Sequence, residues 1–416
     1  MVDLFREMRF ALTENIVRWT LVVAILLSGF SLFSGLSEVQ QQRAQLTSLK
    51  TDTAEDQSIA LAAQSDAGGA AYYAFHLTYD PPSELAFAAL GLRDELPWKH
   101  RLRMLALEGQ VYETDSGNPD LSQLGKLDFA YVISMLLPLL LIGLLYDLDA
   151  RERRESRFEL LCATSKLGGR LLLYRACARA ILLFAAIIGP FIVTGLYSGV
   201  AFGAIVKVMA IATIHILFWL GICRWVTTRK IEGITAAVTL FGVWLLLTSV
   251  VPVSGKFAVE QLVKVPNGGE ILLTQRETVN DAWDLPKQST MIPFVESHPQ
   301  WRDDATVNRP FEWKWYFAFQ QVGDQQAEPL STALYQGIAD RHKWMGWVSV
   351  LSPPLLTKRW LTNTADTDIA QHLRYIACVR DFHAKLRHFH YPMLFERENY
   401  SVTNMAQLPQ FEPCTS

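Results

Sequence analysis

The chain has 416 residues, half of them apolar, and 38 lysines and arginines against 41 aspartates and glutamates, a formal net charge of −3. Charged residues make up 19 %, below the roughly 25 % of an average soluble domain. A balance this near zero excludes the broad basic face that nucleic-acid binding needs, so no nucleic-acid partner is expected. Cys162, Cys177, Cys223, Cys378 and Cys414 are too scattered for a metal-type spacing, and no disulfide framework can be read from them.

Residues 1–15, MVDLFREMRFALTEN, place Leu4, Phe5, Met8 and Leu12 on one helical face and predict an amphipathic helix in the membrane interface. The apolar run of residues 16–36 is too long for the core of a secretory leader, and no small-x-small cleavage site closely follows it. About 20 apolar residues cross a hydrocarbon core. Segments 16–36, 129–148, 180–200, 203–225 and 233–253 meet that requirement. They must be helices, because open strand edges are not tolerated in lipid and the alternation of a membrane barrel is absent. The fold class expected is therefore mainly α: a polytopic helical membrane protein with five transmembrane helices.

Segment 37–128 follows the first span. Its first part, 37–64, is polar and rich in Gln, Ala and Leu, as for a helix rising from the membrane. SDAGGAA (65–71) breaks it, and DPPSELAFAALGLRDELP predicts a proline-initiated helix over 83–92. After the second span the chain changes abruptly from LLPLLLIGLLY to DLDARERRESRFELL. In loop 149–179, Arg151 with Glu155 and their neighbours are spaced to keep an emerging helix solvated. Phe158, Leu160 and Leu161 then give a short amphipathic helix. Loop 226–232 is also basic, with Arg224 just ahead of it, whereas the 201–202 turn has no lysine or arginine. The positive-inside bias places the N-terminus and both basic loops in the cytoplasm. Segments 37–128 and 254–416 are then extracytoplasmic and mostly helical.

In the last segment Trp301, Trp313, Trp315, Trp344, Trp347 and Trp360 supply core material or interface anchors. Ile369, Leu373, Ile376, Val379, Phe382 and Leu386 recur at helical spacing. His372, His383, His388 and His390 lack an accepted metal-ligand pattern and read as surface histidines of a basic helix, with no metal expected. Within the spans, Lys207 can snorkel. His215 is either bonded to a neighbouring helix or a polar point on a transport path. Pro138 and Pro190 interrupt their helices and could permit bending along that path. No phosphate-binding loop, H-E-x-x-H or G-x-S-x-G is present, so no enzyme activity is expected.

LLYDLDARERRESRFELLCATSKLGGRLLLYRACARA resembles the loop between the second and third spans of type-2 ABC exporter permeases, where an acid-arginine stretch precedes a coupling helix. LAFAALGLRDELP, NPDLSQLGKLDFA and LSPPLLTKRWLTNTADTDIAQHLRYIACVRDFHAKLRHFHYP are similar to one bacterial subfamily of these permeases, with a large outer segment between the first two spans. The resemblance implies a permease subunit in the bacterial inner membrane, with cargo moved by an ATP-binding subunit encoded elsewhere and a second permease subunit, identical or not, beside it. ATP belongs to that partner, and no cofactor is implied in this chain. The family's coupling helix falls on 155–164. It gives Phe158, Leu160 and Leu161 as buried contacts to the ATPase, with Arg153, Arg154 and Glu155 as rim charges. Two features depart from the pattern. Ser165 stands where the family often has proline. A sixth span common in the subfamily is missing, the late apolar run 346–356 being too short, so either the sequence is truncated or the subunit works with five spans. The alternative is a membrane-anchored structural or assembly protein whose outer domains bind a periplasmic partner.

Overall fold

The computed structural model describes residues 2–112, 127–156, 158–164, 170–229 and 231–414. Among the described residues five helices are long and apolar enough to cross a membrane, and the chain is a mainly α, polytopic membrane protein. The first, α2 (Asn15–Ala62), follows the short α1 (Val2–Ala11) and continues far past its apolar part. Next come α3 (Ala67–Tyr73), an antiparallel pair β1 (His76–Tyr79) and β2 (Lys99–Leu102), and α4 (Leu107–Tyr112). The second span, α5 (residues 129–145), has a π-helical turn at Val132–Leu136 and is followed by α6 (Leu148–Arg154) and α7 (Phe158–Thr164). Spans three to five are α8 (Leu171–Tyr197), α9 (Phe202–Thr227) and α10 (Gly233–Leu262), the last with a π-helical turn at Leu246–Val250. The C-terminal helices are α11 (Gly268–Asp284), α12 (Lys287–Ser297), α13 (Trp313–Leu351), α14 (Pro353–Thr364), α15 (Ile369–Leu394) and α16 (Val402–Met405).

The span bundle packs around Leu141, Leu183, Ile187, Phe191, Ala212 and Trp219, with Phe129 and Phe191 stacked at 5.1 Å. In α2 the buried residues Val17, Ala24, Ser28, Ser31, Leu32, Gly35, Val39, Gln42 and Leu46 recur at intervals of three, four or seven, apart from the adjacent pair Ser31 and Leu32. They form one seam of the kind that long packed helices present to a partner. The seam runs without interruption from the apolar half of α2 into its polar half. The described parts of segments 37–128 and 254–416 share one core. This aromatic core joins Ala67, Ala70 and Met104 of the first segment to Trp315, Phe317, Phe319 and Phe294 of the second. A disulfide between Cys378 and Cys414 fastens the tail to α15.

Both π-helical turns have a local cause. Pro138 and Pro252 lack an N–H, which leaves the carbonyl four residues back without its helical partner. Each π turn lies immediately before its proline. Pro190, by contrast, stands inside an uninterrupted α8.

Several expectations need correction. No α-helix forms over 83–92, where only a 3-10 turn begins at Gly91. Ala86, Ala88 and Ala89 make only three-residue turns, and Leu85 to Leu90 are all buried. A run apolar on every side has no solvent face, and here its backbone is claimed by neighbours. Ala88 accepts from the Ala130 N–H, Leu92 donates to the Thr367 carbonyl, and the Thr367 hydroxyl donates to the Ala89 carbonyl. α2 approaches this run so closely that a β-carbon on Gly35 would overlap the Phe87 carbonyl. SDAGGAA does not simply break α2: Asp66 caps α3 by accepting from the Gly69 N–H at 2.7 Å. In α1 the face turned to α8 carries Glu7 and Ala11, and Phe10 lies under the Arg175 guanidinium, while Phe5 and, just past the helix, Leu12 point outward. The histidines of α15 are not a surface set either: His383 and His390 are fully buried, His372 is half-buried, and only His388 is exposed.

Candidate functional site

The charged stretch after the second span is not merely solvated. Asp149, on the first turn of α6, is 2 % exposed and pairs with Arg224 near the end of α9. Glu152, one turn on, accepts from Arg175 of α8 at 2.8 Å, and the same guanidinium reaches Glu7 of α1 at 3.1 Å. One turn further along α8, Arg179 meets Glu14 at 2.7 Å and donates to the Leu144 carbonyl of α5. The i, i+3 and i, i+4 spacings put these groups on facing stripes of their helices. The result is a chain of charge-assisted bonds linking α1, α5, α6, α8 and α9 at one end of the bundle.

The residues expected to couple to a partner are divided by this arrangement. Arg153 donates to the Thr227 and Arg229 carbonyls, where a guanidinium favours the negative end of α9. Arg154 pairs with Asp147 at 3.0 Å, and Asp147 lies against Gly233 at the start of α10, where a β-carbon would overlap its carboxylate. Glu155 makes an exposed contact with Arg151. Ser156 adopts φ 55°, a left-handed residue at the turn that leads from α6 towards α7. Leu161 is half-buried and, with Phe10, Arg175 and Arg179, lines a cavity of about 420 Å³ against the spans. Leu160 points outward, 62 % exposed. Phe158 opens α7, its side chain lying outside the described residues, as does Ser165.

The residues expected on a transport path are only partly brought together. His215 is buried in the middle of α9, and its Nδ1 is 2.9 Å from the Thr357 hydroxyl of α14. That partner belongs to a helix of the C-terminal domain. The π turn before Pro138 packs on that same α14. Pro190 belongs elsewhere, beside the Phe191–Phe129 stack.

A second candidate site lies in the C-terminal domain and was not legible in the sequence. Between α13 and α15 is a cavity of about 920 Å³ walled by Leu107, Trp301, Tyr335, Ile376 and Tyr391. Two buried ion pairs cross its floor. Arg380 binds Glu108 through both guanidinium nitrogens and also the Ser331 hydroxyl. Arg387 binds Asp324, which accepts further from the Leu107 N–H and Gln275. Burial pushes the Asp324 carboxyl up, but Arg387 and these donors outweigh it and hold it below the ordinary carboxylate range. The partners are far apart in the chain, which is why no spacing announces them. Among the described residues no three His, Cys, Asp or Glu side chains gather to hold a metal ion.

Two outcomes test this description. Arg224→Met is expected to cost about 3–5 kcal/mol, because Asp149 is left as an unpaired buried charge. Asp149→Leu with Arg224→Met removes both charges and is expected to recover most of that loss in thermal melts of the purified protein. The second concerns pH. Burial lowers His383 and His390 to about 3 and His76 to about 4. The unfolded chain binds these protons near pH 6.5 and the folded one does not. The stability they contribute is therefore whole above about pH 6.5 and is lost as pH falls towards 4, by up to about 1.4 kcal/mol per pH unit for each histidine. His390→Phe is expected to flatten that decline in melts followed by tryptophan fluorescence.

Residues 269–413 match a family model described as a domain of unknown function (DUF3526). No curated protein and no solved structure matches the chain.

Proposed function

We propose that this chain is the membrane-spanning permease subunit of an ATP-driven exporter, of the type-2 ABC kind that its sequence resembles. The ATPase would be a separate chain, and a second permease subunit would complete the pathway. One observation carries the reading: the α6–α7 hairpin is fastened to the spans through Asp149–Arg224 and Glu152–Arg175 while Leu160 of α7 faces outward. A force applied to α7 would pass through charge-assisted bonds into α8 and α9 rather than being lost in a loose loop. Such a surface suits the groove of a helix-binding partner, and the arginines around it suit the cytoplasmic face.

Cysteine chemistry supports the same orientation independently. The disulfide Cys378–Cys414 belongs to the C-terminal domain, and the free thiols Cys177 and Cys223 belong to the arginine-rich half of the spans. Disulfides persist in oxidising compartments and thiols in reducing ones. The arrangement favours a bacterial inner-membrane protein with its N-terminus in the cytoplasm and its large domain outside. Cargo of bulky or amphiphilic character is the expectation by analogy with such exporters. The cavity between α13 and α15 favours a second reading, a membrane-anchored assembly protein whose outer domain binds a periplasmic partner.

Purification of the intact complex from its native membrane separates the two. An ATP-binding chain with a phosphate-binding loop is expected to co-purify, and Leu160→Asp with Leu161→Asp is expected to reduce its recovery by about tenfold, a loss of about 1.4 kcal/mol, without lowering the melting temperature of the spans. Equal recovery with the double variant, or no ATP-binding chain at all, would remove the exporter reading.

A further inference from the structure

The apolar run 346–356 is too short to cross a bilayer, yet it does not lie on the surface of the C-terminal domain. It forms the tip of a helical hairpin. α13 ends at Leu351; Ser352 caps α14 by accepting from the Leu355 N–H, and Pro353 and Pro354 occupy the first helical positions, where a missing N–H costs little. The tip enters among the spans. The Ser352 hydroxyl donates to the Leu247 carbonyl at 2.6 Å, on the π turn of α10. α14 packs on α9, on the π turn of α5 and on that of α10, and Thr357 meets His215.

Depth follows from helix geometry. Leu247 lies fourteen residues after Gly233, where α10 begins at the arginine-rich end, or about 21 Å along a helix rising 1.5 Å per residue. His215 lies twelve residues before Thr227, about 18 Å from the same end of α9. Both points fall well inside a hydrocarbon core of about 30 Å.

We infer that residues 344–364 are a re-entrant hairpin whose outward face is embedded in the acyl chains of the leaflet on the C-terminal-domain side. Trp344, Trp347, Val350 and Leu351 make that face, exposed by 47, 72, 60 and 69 %. No charged residue occurs from 344 to 357, and Lys343 and Lys358 flank the stretch. Tryptophan belongs at headgroup level and lysine can snorkel there, which fits Lys343 and Trp344 at the shallow end of the α13 arm. The face also continues the exposed apolar surface of α10 at Val250, Val253 and Phe257; Gly255 of α10 sits so close to α13 that a β-carbon would overlap Val348. Lipid tolerates a helix break only where its polar groups are satisfied by protein. Ser352 meets that condition: it is fully buried, its N–H bonds the Ser349 carbonyl at 3.0 Å, and its hydroxyl is held by Leu247.

The test places a spin label at Trp347, Val350 or Leu351, one at a time, through cysteine. The chain keeps its Cys378–Cys414 disulfide and carries serine at Cys162, Cys177 and Cys223. The protein is reconstituted in phosphatidylcholine–phosphatidylglycerol vesicles, with Lys385→Cys as the aqueous reference. Collisions with oxygen relative to a water-soluble nickel chelate are expected to rise several-fold over the reference, most at Leu351 and least at Trp347. Nickel-dominated collisions at all three positions would overturn the inference in favour of water. Low accessibility to both reagents would overturn it in favour of a second protein chain on the same face. A variant-light measurement covers any failure of the labelled chains to fold: acyl-brominated lipid is expected to quench the wild type more than Trp347→Phe, and equal quenching would also overturn the inference.

Discussion

Buried charge at one end of the span bundle sets the terms for the rest of the structure. Glu7, Glu14, Asp149 and Glu152 meet Arg175, Arg179 and Arg224 where little water reaches them. Taking such groups out of water costs several kcal/mol each, and pairing does little more than return it. Their contribution is therefore to specificity rather than to net stability. Any arrangement of α1, α6, α8 and α9 that parts one carboxylate from its arginine leaves a charge stranded at the edge of lipid. That penalty selects one register of the helices, and with it one position for the α6–α7 hairpin.

From this end, two helices carry the arrangement to the other side, and two return. α2 extends for 48 residues, about 72 Å at helical rise, and its buried seam belongs first to the spans and then to the C-terminal domain. α10 likewise runs on past the thickness of a bilayer. α13 and α14 descend in return, so that Thr357 touches a histidine in mid-span. Domain and spans share packed helices instead of a flexible linker. A displacement of the arginine-rich hairpin has a continuous path to the C-terminal domain, which is what the proposed function requires of a subunit driven from one face and working on the other.

The sequence was most legible where one physical demand dominated. Twenty nearly uncharged residues admit little besides a span, and five helices among the described residues are long and apolar enough to be one. The helical periodicity of Ile376, Val379, Phe382 and Leu386 likewise returned a helix with those side chains buried. Legibility failed where burial was complete. Leu85 to Leu90 are enclosed on all sides, so periodicity could not distinguish a helix from a chain of turns whose bonds go to residues such as Thr367. His383 and His390 look like surface groups by type, and only the tertiary fold buries them. The cavity floor was illegible for a related reason: Glu108 and Arg380 are brought together by a fold that no local pattern encodes. The Arg151–Glu155 pair was readable from its four-residue spacing, whereas Asp149–Arg224 bridges α6 and α9 and was not.

The account depends on the arginine-rich hairpin lying inside the cell, opposite the disulfide-bonded domain. Labelling with a membrane-impermeant thiol reagent tests this most directly, using a chain with serine at Cys162, Cys177 and Cys223 and a single new cysteine at Leu160 or Lys385. In intact cells, with the outer membrane made permeable to the reagent, Lys385→Cys is expected to react and Leu160→Cys to react only after the inner membrane is opened. Reaction of Leu160→Cys while that membrane is sealed would contradict the account.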